Sequence, residues 1–166
     1  MKNNSEILII LVGIPHSGKT TFSKYLKDKY NYEIVSTYEI KKEIYINGKY
    51  DIKHLFEIQK DKLETLMKSN SLIIADSNNS KKIYRDEIIK IANKYNYNYY
   101  SVYIKSSIKD VKDRLKKDNK NHVLNNLDFY INEIDLYDVD FEINNDNTKN
   151  YFNEIDKVMM SINEKY

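Results

Sequence analysis

An uninterrupted aliphatic run that ends in a glycine limits the folds open to this chain more than any other feature of its sequence. The run from Ile7 to Val12 has the length of a strand that is buried on both faces, and Gly13 follows it directly. We predict a strand over residues 6–12 and a helix over residues 17–30, where apolar side chains recur at helical spacing. A buried strand that is joined to a helix by a short glycine-containing turn predicts the first unit of an α/β protein with a parallel sheet.

The rest of the chain repeats this alternation, and no linker rich in glycine, serine or proline divides its 166 residues. Further strands are predicted at residues 33–36, 72–75, 99–104 and 141–143. Further helices are predicted at residues 38–45, 52–67, 80–95, 107–117, 124–134 and 149–164. We therefore expect a single domain over residues 1–166, a three-layer α/β/α sandwich around a five-stranded, mostly parallel sheet. Ligands bind beyond the carboxyl ends of the strands in such sheets, which directs attention to Gly13, Ser36, Asp76 and Lys105.

The turn after the first strand has the pattern G-x-x-x-x-G-K-[ST], which is typical of loops that bind nucleotide phosphates. Glycines let main-chain N–H groups curl toward phosphate oxygens, and the helix that follows adds its positive N-terminus. Lys19 would bring an ammonium to the β- and γ-phosphates, and the hydroxyl of Thr20 is a suitable ligand for Mg²⁺. The pattern predicts that ATP and Mg²⁺ bind at Gly13, Pro15, His16, Ser17, Gly18, Lys19, Thr20 and Thr21.

A tight turn with an exposed lysine is the alternative interpretation of this pattern. His16 occupies a free position of the pattern, and we expect it to contact solvent or a neighbouring segment and not a metal.

Asp76 follows the third predicted strand and is the next candidate site residue. Its carboxylate is predicted to hold the Mg²⁺ shell or to accept a proton from an acceptor hydroxyl. A carboxylate that caps the next helix is the alternative. Asn79 is expected either to orient a substrate or to cap the helix that is predicted from residue 80.

The composition excludes several classes of protein. A net charge of +2 gives no basic surface that would by itself indicate a nucleic acid or a membrane. The absence of cysteine excludes disulfides, thiolate metal sites and a cysteine nucleophile. No apolar run approaches the length of about 18 residues that a membrane span needs, and the run before Gly13 is too short for a signal peptide, so we expect a cytoplasmic protein without a membrane partner.

Several motif positions together make the chain similar to a known family. The glycine loop has proline at its third position, and the third predicted strand ends in Asp76-Ser77-Asn78-Asn79. The chain resembles P-loop kinases of the polynucleotide-kinase-like group, which is related to the zeta-toxin kinases, over nearly its whole length. The resemblance implies a P-loop NTPase fold with a small helical lid at about residues 114–125.

The only two arginines of the chain, Arg85 and Arg114, stand at positions where this family carries arginine. The resemblance implies that Arg114 is a lid cation that contacts the nucleotide and stabilises the transferring phosphoryl group. A surface cation that pairs with Asp110 or Asp118 is the alternative. Arg85 is expected to contact substrate or, alternatively, to anchor its helix to the sheet or to Asp76.

The resemblance breaks after the second strand. The family carries an aspartate there as general base and an arginine three residues later, whereas this chain has Tyr38, Glu39 and Lys41 in this stretch. Tyr38 is a poor base at neutral pH because the ordinary pKa of a phenol is about 10. Glu39 is a candidate base, or else an acid that the positive end of a helix favours.

The resemblance implies an ATP-dependent phosphotransferase that moves the γ-phosphate to a hydroxyl, with Lys19, Asp76, Arg114 and Glu39 as catalytic residues. The acceptor would be a polynucleotide 5′-hydroxyl or a small nucleotide or metabolite. The altered acceptor position keeps a nucleotide-binding protein or a regulatory NTPase as the alternative. A GTPase is not favoured, because the string nearest to Asn-Lys-x-Asp, at residues 93–96, lacks the aspartate.

Overall fold

The structure is a computed structural model that describes residues 6–46, 48–69, 71–146 and 150–165. Its strands are β1 (Ile7–Val12), β2 (Glu33–Ser36), β3 (Ile73–Asp76), β4 (Asn98–Lys105) and β5 (Phe141–Asn144). Its helices are α1 (Lys19–Tyr30), α2 (Thr37–Ile44), α3 (Ile52–Lys68), α4 (Lys82–Lys94), α5 (Ile108–Lys117), α6 (Asn121–Asn125), α7 (Leu127–Asn132) and α8 (Tyr151–Asn163). The strand order is β2-β3-β1-β4-β5, and every neighbouring pair is parallel.

Helices cover both faces of this sheet, and the central strand β1 shows why. Ile9 and Leu11 point to one face, where they pack in a cluster with residues of α1 and α8. Leu8 and Ile10 point to the other face, where α2, α3 and α4 supply the partners. Because successive side chains of a strand alternate between faces, an all-aliphatic strand needs an apolar layer on each side. The predicted α/β/α sandwich with five strands is confirmed, and its described sheet is parallel throughout.

A third, smaller apolar cluster lies at the carboxyl edge of the sheet. It joins Ile14 of the glycine loop to Val111 and Leu115 of α5 and to Leu127 of α7. The segment that was predicted as a lid therefore packs directly against the glycine loop.

Some of the predicted helix boundaries are wrong. The helix predicted at residues 124–134 is two short helices, because Asn126 leaves the helical conformation and its side-chain Nδ2 donates a hydrogen bond of 2.7 Å to His122 O. The helix predicted from residue 17 begins only at Lys19, because Gly18 has a left-handed backbone. The predicted start of the last helix at residue 149 lies outside the described residues. Within the described segments, no helix combines the length and the apolar character that a bilayer span requires.

Candidate functional site

The glycine loop between β1 and α1 is a tight curl that the loop after β3 supports. Gly13 N donates a hydrogen bond of 3.1 Å to Asn78 O. Gly18 has a φ of +112°, and a Cβ atom there would lie 2.1 Å from Asn145 Nδ2. The left-handed backbone favours glycine at position 18, and any larger residue there would also displace the side chain of Asn145.

The side chain of Lys19 folds back into this curl. Its Nζ donates hydrogen bonds to Gly13 O at 2.9 Å and to Ile14 O at 2.7 Å, and only 7% of the residue is exposed. Burial lowers the pKa of Lys19 to about 8, and the charge of Asp76 opposes this shift. The alternative of an exposed lysine in a plain turn is therefore wrong. The loop surrounds a buried ammonium with main-chain groups.

Asp76 ends β3 and is the carboxylate in the field of Lys19. Ser23 Oγ donates a hydrogen bond of 3.0 Å to Asp76 Oδ2. Burial raises the pKa of Asp76, while the charge of Lys19 and the hydrogen bond from Ser23 oppose the rise. Asp76 is not a helix cap, because the residue that precedes α4 is Lys81. It is a buried carboxylate with an increased affinity for a proton.

Arg114 on α5 connects three segments around the loop. Its Nη1 donates hydrogen bonds to His16 O at 3.0 Å and to Ser106 Oγ at 2.8 Å, and its Nη2 donates one of 2.9 Å to Asn145 O. His16 belongs to the glycine loop, Ser106 follows β4, and Asn145 follows β5. The planar guanidinium fork can reach several oxygens at once, which an ammonium cannot do. Arg114 therefore braces the loop against two strand ends.

A cavity of about 550 Å³ opens beside the glycine loop. The predicted residues that line it are His16, Gly18, Lys19, Thr20, Thr21 and Arg114. Four further residues that were not predicted to bind a ligand complete its lining, namely Asp118, Asn145, Tyr151 and Phe152. Gly13, Pro15 and Ser17 shape the loop but are not among the lining residues. The structure therefore brings most of the predicted binding residues together around one cavity.

His16 contacts the residue that follows α5. Its Nδ1 lies 3.4 Å from Asp118 Oδ2. Burial lowers the pKa of His16, although the carboxylate of Asp118 opposes the shift. His16 and Asp118 together form the wall of the cavity between the glycine loop and α5.

Three residues near the end of the chain belong to the site but were not predicted from the sequence, namely Asn145 after β5 and Tyr151 and Phe152 of α8. Asn145 Nδ2 donates a hydrogen bond of 2.8 Å to Ser17 O, and Tyr151 Oη donates one of 3.0 Å to Gly18 O. Asn145 directly follows β5, so attention to the carboxyl end of that strand would have found it. Tyr151 and Phe152 gave no signal in the sequence, because aromatic residues at a helix start most often belong to the core.

The polar groups of the loop fit a magnesium ion that is shared with a phosphate group. Thr20 is exposed in the first turn of α1, and Asp76 stands at the end of β3. Ser17 Oγ is buried and has no hydrogen-bond partner among the described residues. The described segments hold no cluster of three or more His, Cys, Asp or Glu residues that is arranged for a metal. Mg²⁺ commonly takes one or two protein oxygens and completes its shell with water and phosphate oxygens, which matches this sparse set of ligands.

Tyr38 and Glu39, the residues at the predicted position of the general base, lie at the start of α2. Ser36 is the register neighbour of Asp76, and its hydroxyl caps α2 by accepting a hydrogen bond of 3.4 Å from Glu39 N. The side chain of Glu39 is 60% exposed and pairs with Lys42 at 3.0 Å. Tyr38 is also exposed, and the ammonium of Lys42 lies over its ring. The described contacts of Glu39 are those of an acid on a helix surface.

Arg85 and Asn79 have roles in supporting the site. The buried guanidinium of Arg85 donates hydrogen bonds to Asn79 O at 3.0 Å and to Tyr137 O at 2.6 Å. Arg85 therefore anchors α4 to two loops, whereas the predicted anchor was the sheet or Asp76. Asn79 Nδ2 donates hydrogen bonds to Leu11 O and Ala75 O. Of the two alternatives for Asn79, the cap of the next helix is wrong, because α4 begins three residues later, and the contact with a substrate stays a prediction.

A parallel sheet whose central strand leads into a glycine loop with a buried lysine, and whose neighbouring strand ends in a carboxylate, defines a P-loop protein with the fold of small kinases. The chain belongs to the KTI12 family. The family model described as chromatin associated protein KTI12 matches residues 7–165, which is nearly the whole chain.

Several solved structures share this fold. A putative kinase from Chloroflexus aurantiacus is 15% identical, has a TM-score of 0.72, and the alignment covers 97% of this chain and 96% of that chain. The APS kinase of Mycobacterium tuberculosis, solved with AMPPNP and APS, is 11% identical with a TM-score of 0.65 and coverages of 94% and 96%. Kti12 from Chaetomium thermophilum, solved with ADP-AlF3, is 17% identical with a TM-score of 0.60 and coverages of 92% and 97%.

These comparisons confirm the predicted P-loop architecture and the general resemblance to P-loop kinases. They place the chain in the KTI12 family, whereas the narrower relation to zeta-toxin kinases stays a prediction. The mobility of the predicted lid at about residues 114–125 and the cytoplasmic location also stay predictions.

Proposed function

We propose that this protein binds ATP with Mg²⁺ at the glycine loop and transfers the γ-phosphate to an acceptor hydroxyl. The observation that carries the proposal is the buried ammonium of Lys19, which the loop holds at the carboxyl edge of the sheet beside Asp76. Two structures with the same fold support it, because the Kti12 structure contains ADP-AlF3 and the APS kinase structure contains AMPPNP and APS.

The triphosphate would meet a loop whose charge is already in place. Burial lowers the pKa of Lys19, so the folded protein holds this charge at a cost, and a phosphate anion nearby would reduce that cost. The main-chain N–H groups of the loop and the start of α1 add further positive potential. Lys19 would exchange its bonds to the loop carbonyls for bonds to phosphate oxygens.

Thr20 would hold Mg²⁺ directly, and Asp76 would contact the shell of the ion through a water, which leaves its carboxylate able to accept a proton. When it is bound, the ion supplies positive charge that neutralises the phosphate oxygens. Thr20 offers a hydroxyl oxygen at the cavity, and Asp76 offers a carboxylate at the adjacent strand end.

The far side of the cavity would receive the nucleoside part of ATP. Phe152 lines this cavity and is half exposed, and its ring packs against Tyr25 with the ring centroids 4.7 Å apart. A half-exposed aromatic ring that its neighbour already holds in place can stack on a purine at a small cost in side-chain entropy. Arg114 faces the same cavity and would stabilise the charge of the transferring group.

In the transfer step the acceptor oxygen forms a bond to the γ-phosphorus, and the bond from that phosphorus to the β–γ bridging oxygen breaks. ADP leaves with the electron pair of the broken bond, and the proton of the acceptor hydroxyl passes to a carboxylate. We assign this proton to Asp76, whose pKa burial raises. Positioning and charge would supply most of the rate of this loose transition state, and proton transfer to Asp76 would supply a smaller share.

A regulatory NTPase is the second candidate, and the start of α2 favours it. Tyr38 stands at or beside the position at which the kinases that this chain resembles carry a base, and the adjacent Glu39 is exposed and paired with Lys42. In that case water would be the acceptor, and the same loop and the same Asp76 would serve a hydrolysis.

Transfer of label from γ-labelled ATP tests the proposal. Wild-type protein with Mg²⁺ is incubated with RNA and DNA that carry 5′-hydroxyl ends and with hydroxyl metabolites, and ADP release is measured with and without each acceptor. We expect acceptor-dependent ADP release and label on the acceptor. ADP release that no acceptor changes would favour the NTPase, and the absence of both nucleotide binding and ADP release would contradict the proposal.

Three variants assign the roles in the same assay. Lys19→Met should abolish transfer while the fold survives, and Asp76→Asn should lower kcat by about 10²-fold or more, in the range of general acid–base effects. Glu39→Gln should change kcat less than about threefold. Glu43→Gln is its matched control, because Glu43 lies on the same helix and pairs with Lys62 at 3.1 Å. A large loss in Glu39→Gln with a small loss in Asp76→Asn would move the base role to Glu39.

A further inference from the structure

Three consecutive carbonyls of the glycine loop are each held by a side chain from the second half of the sequence. The pairs are His16 O with Arg114 Nη1 at 3.0 Å, Ser17 O with Asn145 Nδ2 at 2.8 Å, and Gly18 O with Tyr151 Oη at 3.0 Å. Hydrogen bonds are directional, so three such donors in a row fix the directions in which the carbonyls point. The shape of the loop therefore depends on α5, on the end of β5 and on α8.

The direction of each carbonyl also fixes the direction of the next N–H group. A trans peptide group is planar with its C=O and N–H pointing in opposite directions, and the described residues contain no cis peptide bond. The bond to Ser17 O therefore turns the N–H of Gly18 away from Asn145. The bond to Gly18 O turns the N–H of Lys19 away from Tyr151 in the same way. Neither N–H group has an acceptor among the described residues, so both are available to an anion.

The backbone of Asn145 is itself bonded on both sides. Asn145 N donates a hydrogen bond of 2.7 Å to Lys105 O. Asn145 O accepts one of 2.9 Å from Arg114 Nη2 and another from Ser106 Oγ. Because the backbone is held in this way, the amide of Asn145 is directed at the loop before any ligand binds.

Tyr151 is equally well held at the start of α8. Only 6% of the residue is exposed, and it packs in the same apolar cluster as Ile155 of α8 and Phe22 of α1. Burial raises the pKa of Tyr151, so its hydroxyl keeps its proton and remains a donor to the loop.

From these contacts we infer that Asn145 and Tyr151 are positioning residues for phosphate binding. By holding two loop carbonyls outward, they present the N–H groups of Gly18 and Lys19 to a polyphosphate chain. The inference rests on the nucleotide binding of the proposed function. It adds that the docking of β5 and α8 sets the affinity of the loop for phosphate.

Tyr151→Phe removes only the hydroxyl that holds the loop, and Tyr97→Phe is its matched control. Tyr97 is 4% exposed and its Oη donates a hydrogen bond of 2.9 Å to Ser71 O, but it precedes β4 at the opposite edge of the sheet. Because each variant loses a buried hydroxyl that binds a main-chain carbonyl, both should lower Tm by a few degrees. Only Tyr151→Phe should weaken the binding of inorganic tripolyphosphate with Mg²⁺ in calorimetric titrations, by about three- to tenfold.

A comparison of tripolyphosphate with ATP separates positioning from direct contact with the nucleoside. Asn145 and Tyr151 also line the cavity, so a contact with the nucleoside is the alternative role. A residue that acts through the N–H groups of the loop affects both ligands alike. Tyr151→Phe should therefore lower the two affinities by the same factor, within about twofold.

The peptide group that Asn145 holds can be observed by itself in NMR spectra. Serine labelled with ¹³C at the carbonyl and glycine labelled with ¹⁵N together mark only the Ser17–Gly18 peptide, because the other two glycines follow Val12 and Asn47. Saturating tripolyphosphate with Mg²⁺ should move the amide proton signal of Gly18 to lower field, because the N–H group gains an acceptor. In Asn145→Ala this movement should be smaller, and the affinity should fall by about three- to tenfold.

Equal tripolyphosphate affinities of Tyr151→Phe and Tyr97→Phe would overturn the inference, as would a loss that is confined to ATP or a Gly18 signal that tripolyphosphate does not move. Failure of the inference is distinguishable from failure of the proposed function. Binding of tripolyphosphate that depends on Tyr151, without transfer of label from ATP, supports the inference and contradicts the phosphotransferase activity. Transfer of label with equal affinities of the two tyrosine variants overturns the inference alone. A wild-type protein that binds neither ATP nor tripolyphosphate contradicts both.

Discussion

Replacement of Lys19 by methionine tests how much stability the folded protein loses by holding an ammonium inside the glycine loop. Burial lowers the pKa of Lys19 from 10.5 to about 8, although Asp76 opposes the shift. Between these two pH values the unfolded chain binds a proton that the folded protein does not bind, so the free energy of unfolding rises with pH across this window. Below the lower value Lys19 is charged in both states, and the cost of its burial is fully present.

The size of this effect follows from the pKa shift. One pKa unit corresponds to about 1.36 kcal/mol, so a shift from 10.5 to about 8 corresponds to about 3 kcal/mol at neutral pH. Lys19→Met has no ionisable group at this position. The free energy of unfolding of the wild type minus that of Lys19→Met should therefore increase by about 2 to 3 kcal/mol between pH 7 and pH 10.

Urea unfolding of both proteins at pH 7, 8, 9 and 10 provides the measurement. The difference between the two proteins removes the contribution of groups that titrate equally in both. Saturating ATP with Mg²⁺ should reduce the pH dependence of the wild type, because phosphate anions favour the charged lysine. A difference that stays constant within about 0.5 kcal/mol, the usual error of additivity, would refute the lowered pKa and the buried cation that it implies.

Two further predictions concern the residues that shape the loop. Gly18→Ala should lower Tm and weaken ATP binding, because the φ of +112° strains alanine and its Cβ, 2.1 Å from Asn145 Nδ2, would displace that side chain. Gly48→Ala is the matched control in the same thermal-shift assay. Gly48 also has a positive φ, of +81°, but nothing lies within 4 Å of the added Cβ, so the loss of stability should be limited to about 1 kcal/mol of backbone strain. Equal effects of the two variants would contradict the crowding at Gly18. Arg114→Ala should lower kcat by about 10²-fold or more with a modest loss of ATP affinity, and Arg114→Lys should recover less than about tenfold of it. A kcat that neither Arg114 variant changes would limit this arginine to support of the fold.

The alternation of buried strands and amphipathic helices was sufficient to predict the sheet and its layers. Ile7 to Val12 left no other interpretation, because a strand without a polar face must be covered on both sides. The short helices after α5 were harder to predict, because their ends depend on one side chain. Asn126 bonds to the carbonyl of His122 and divides a segment whose apolar spacing alone favours one helix.

The phosphate side of the candidate site was predictable because its residues are close together in the sequence. The opposite wall of the site was not predictable, because Asn145 and Tyr151 are more than a hundred residues from the loop in the sequence. Their side chains bond to main-chain carbonyls of the loop, which every residue has and which no motif marks. The burial of Lys19 was also beyond the sequence, since the motif specifies the residue type and not its depth. For Arg85 the motif position suggested a contact with substrate, whereas its guanidinium bonds to the main-chain carbonyls of two loops.

The choice between Glu39 and Asp76 as the base depends on what it costs to orient each carboxylate toward a substrate. Its pair with Lys42 lies at the surface, and such pairs contribute about 0–1 kcal/mol, so turning the carboxylate toward a substrate would cost little. Ser36 accepts a hydrogen bond from Glu39 N at the start of α2, which fixes the backbone of Glu39. The side chain of Glu39 can still point either to solvent or to Lys42. Asp76 has no such freedom, because Ser23 and the surrounding core hold its carboxylate in the field of Lys19. A group that is already oriented and whose proton affinity burial has raised requires no ordering during the reaction, which is why the larger loss of kcat is expected for Asp76→Asn.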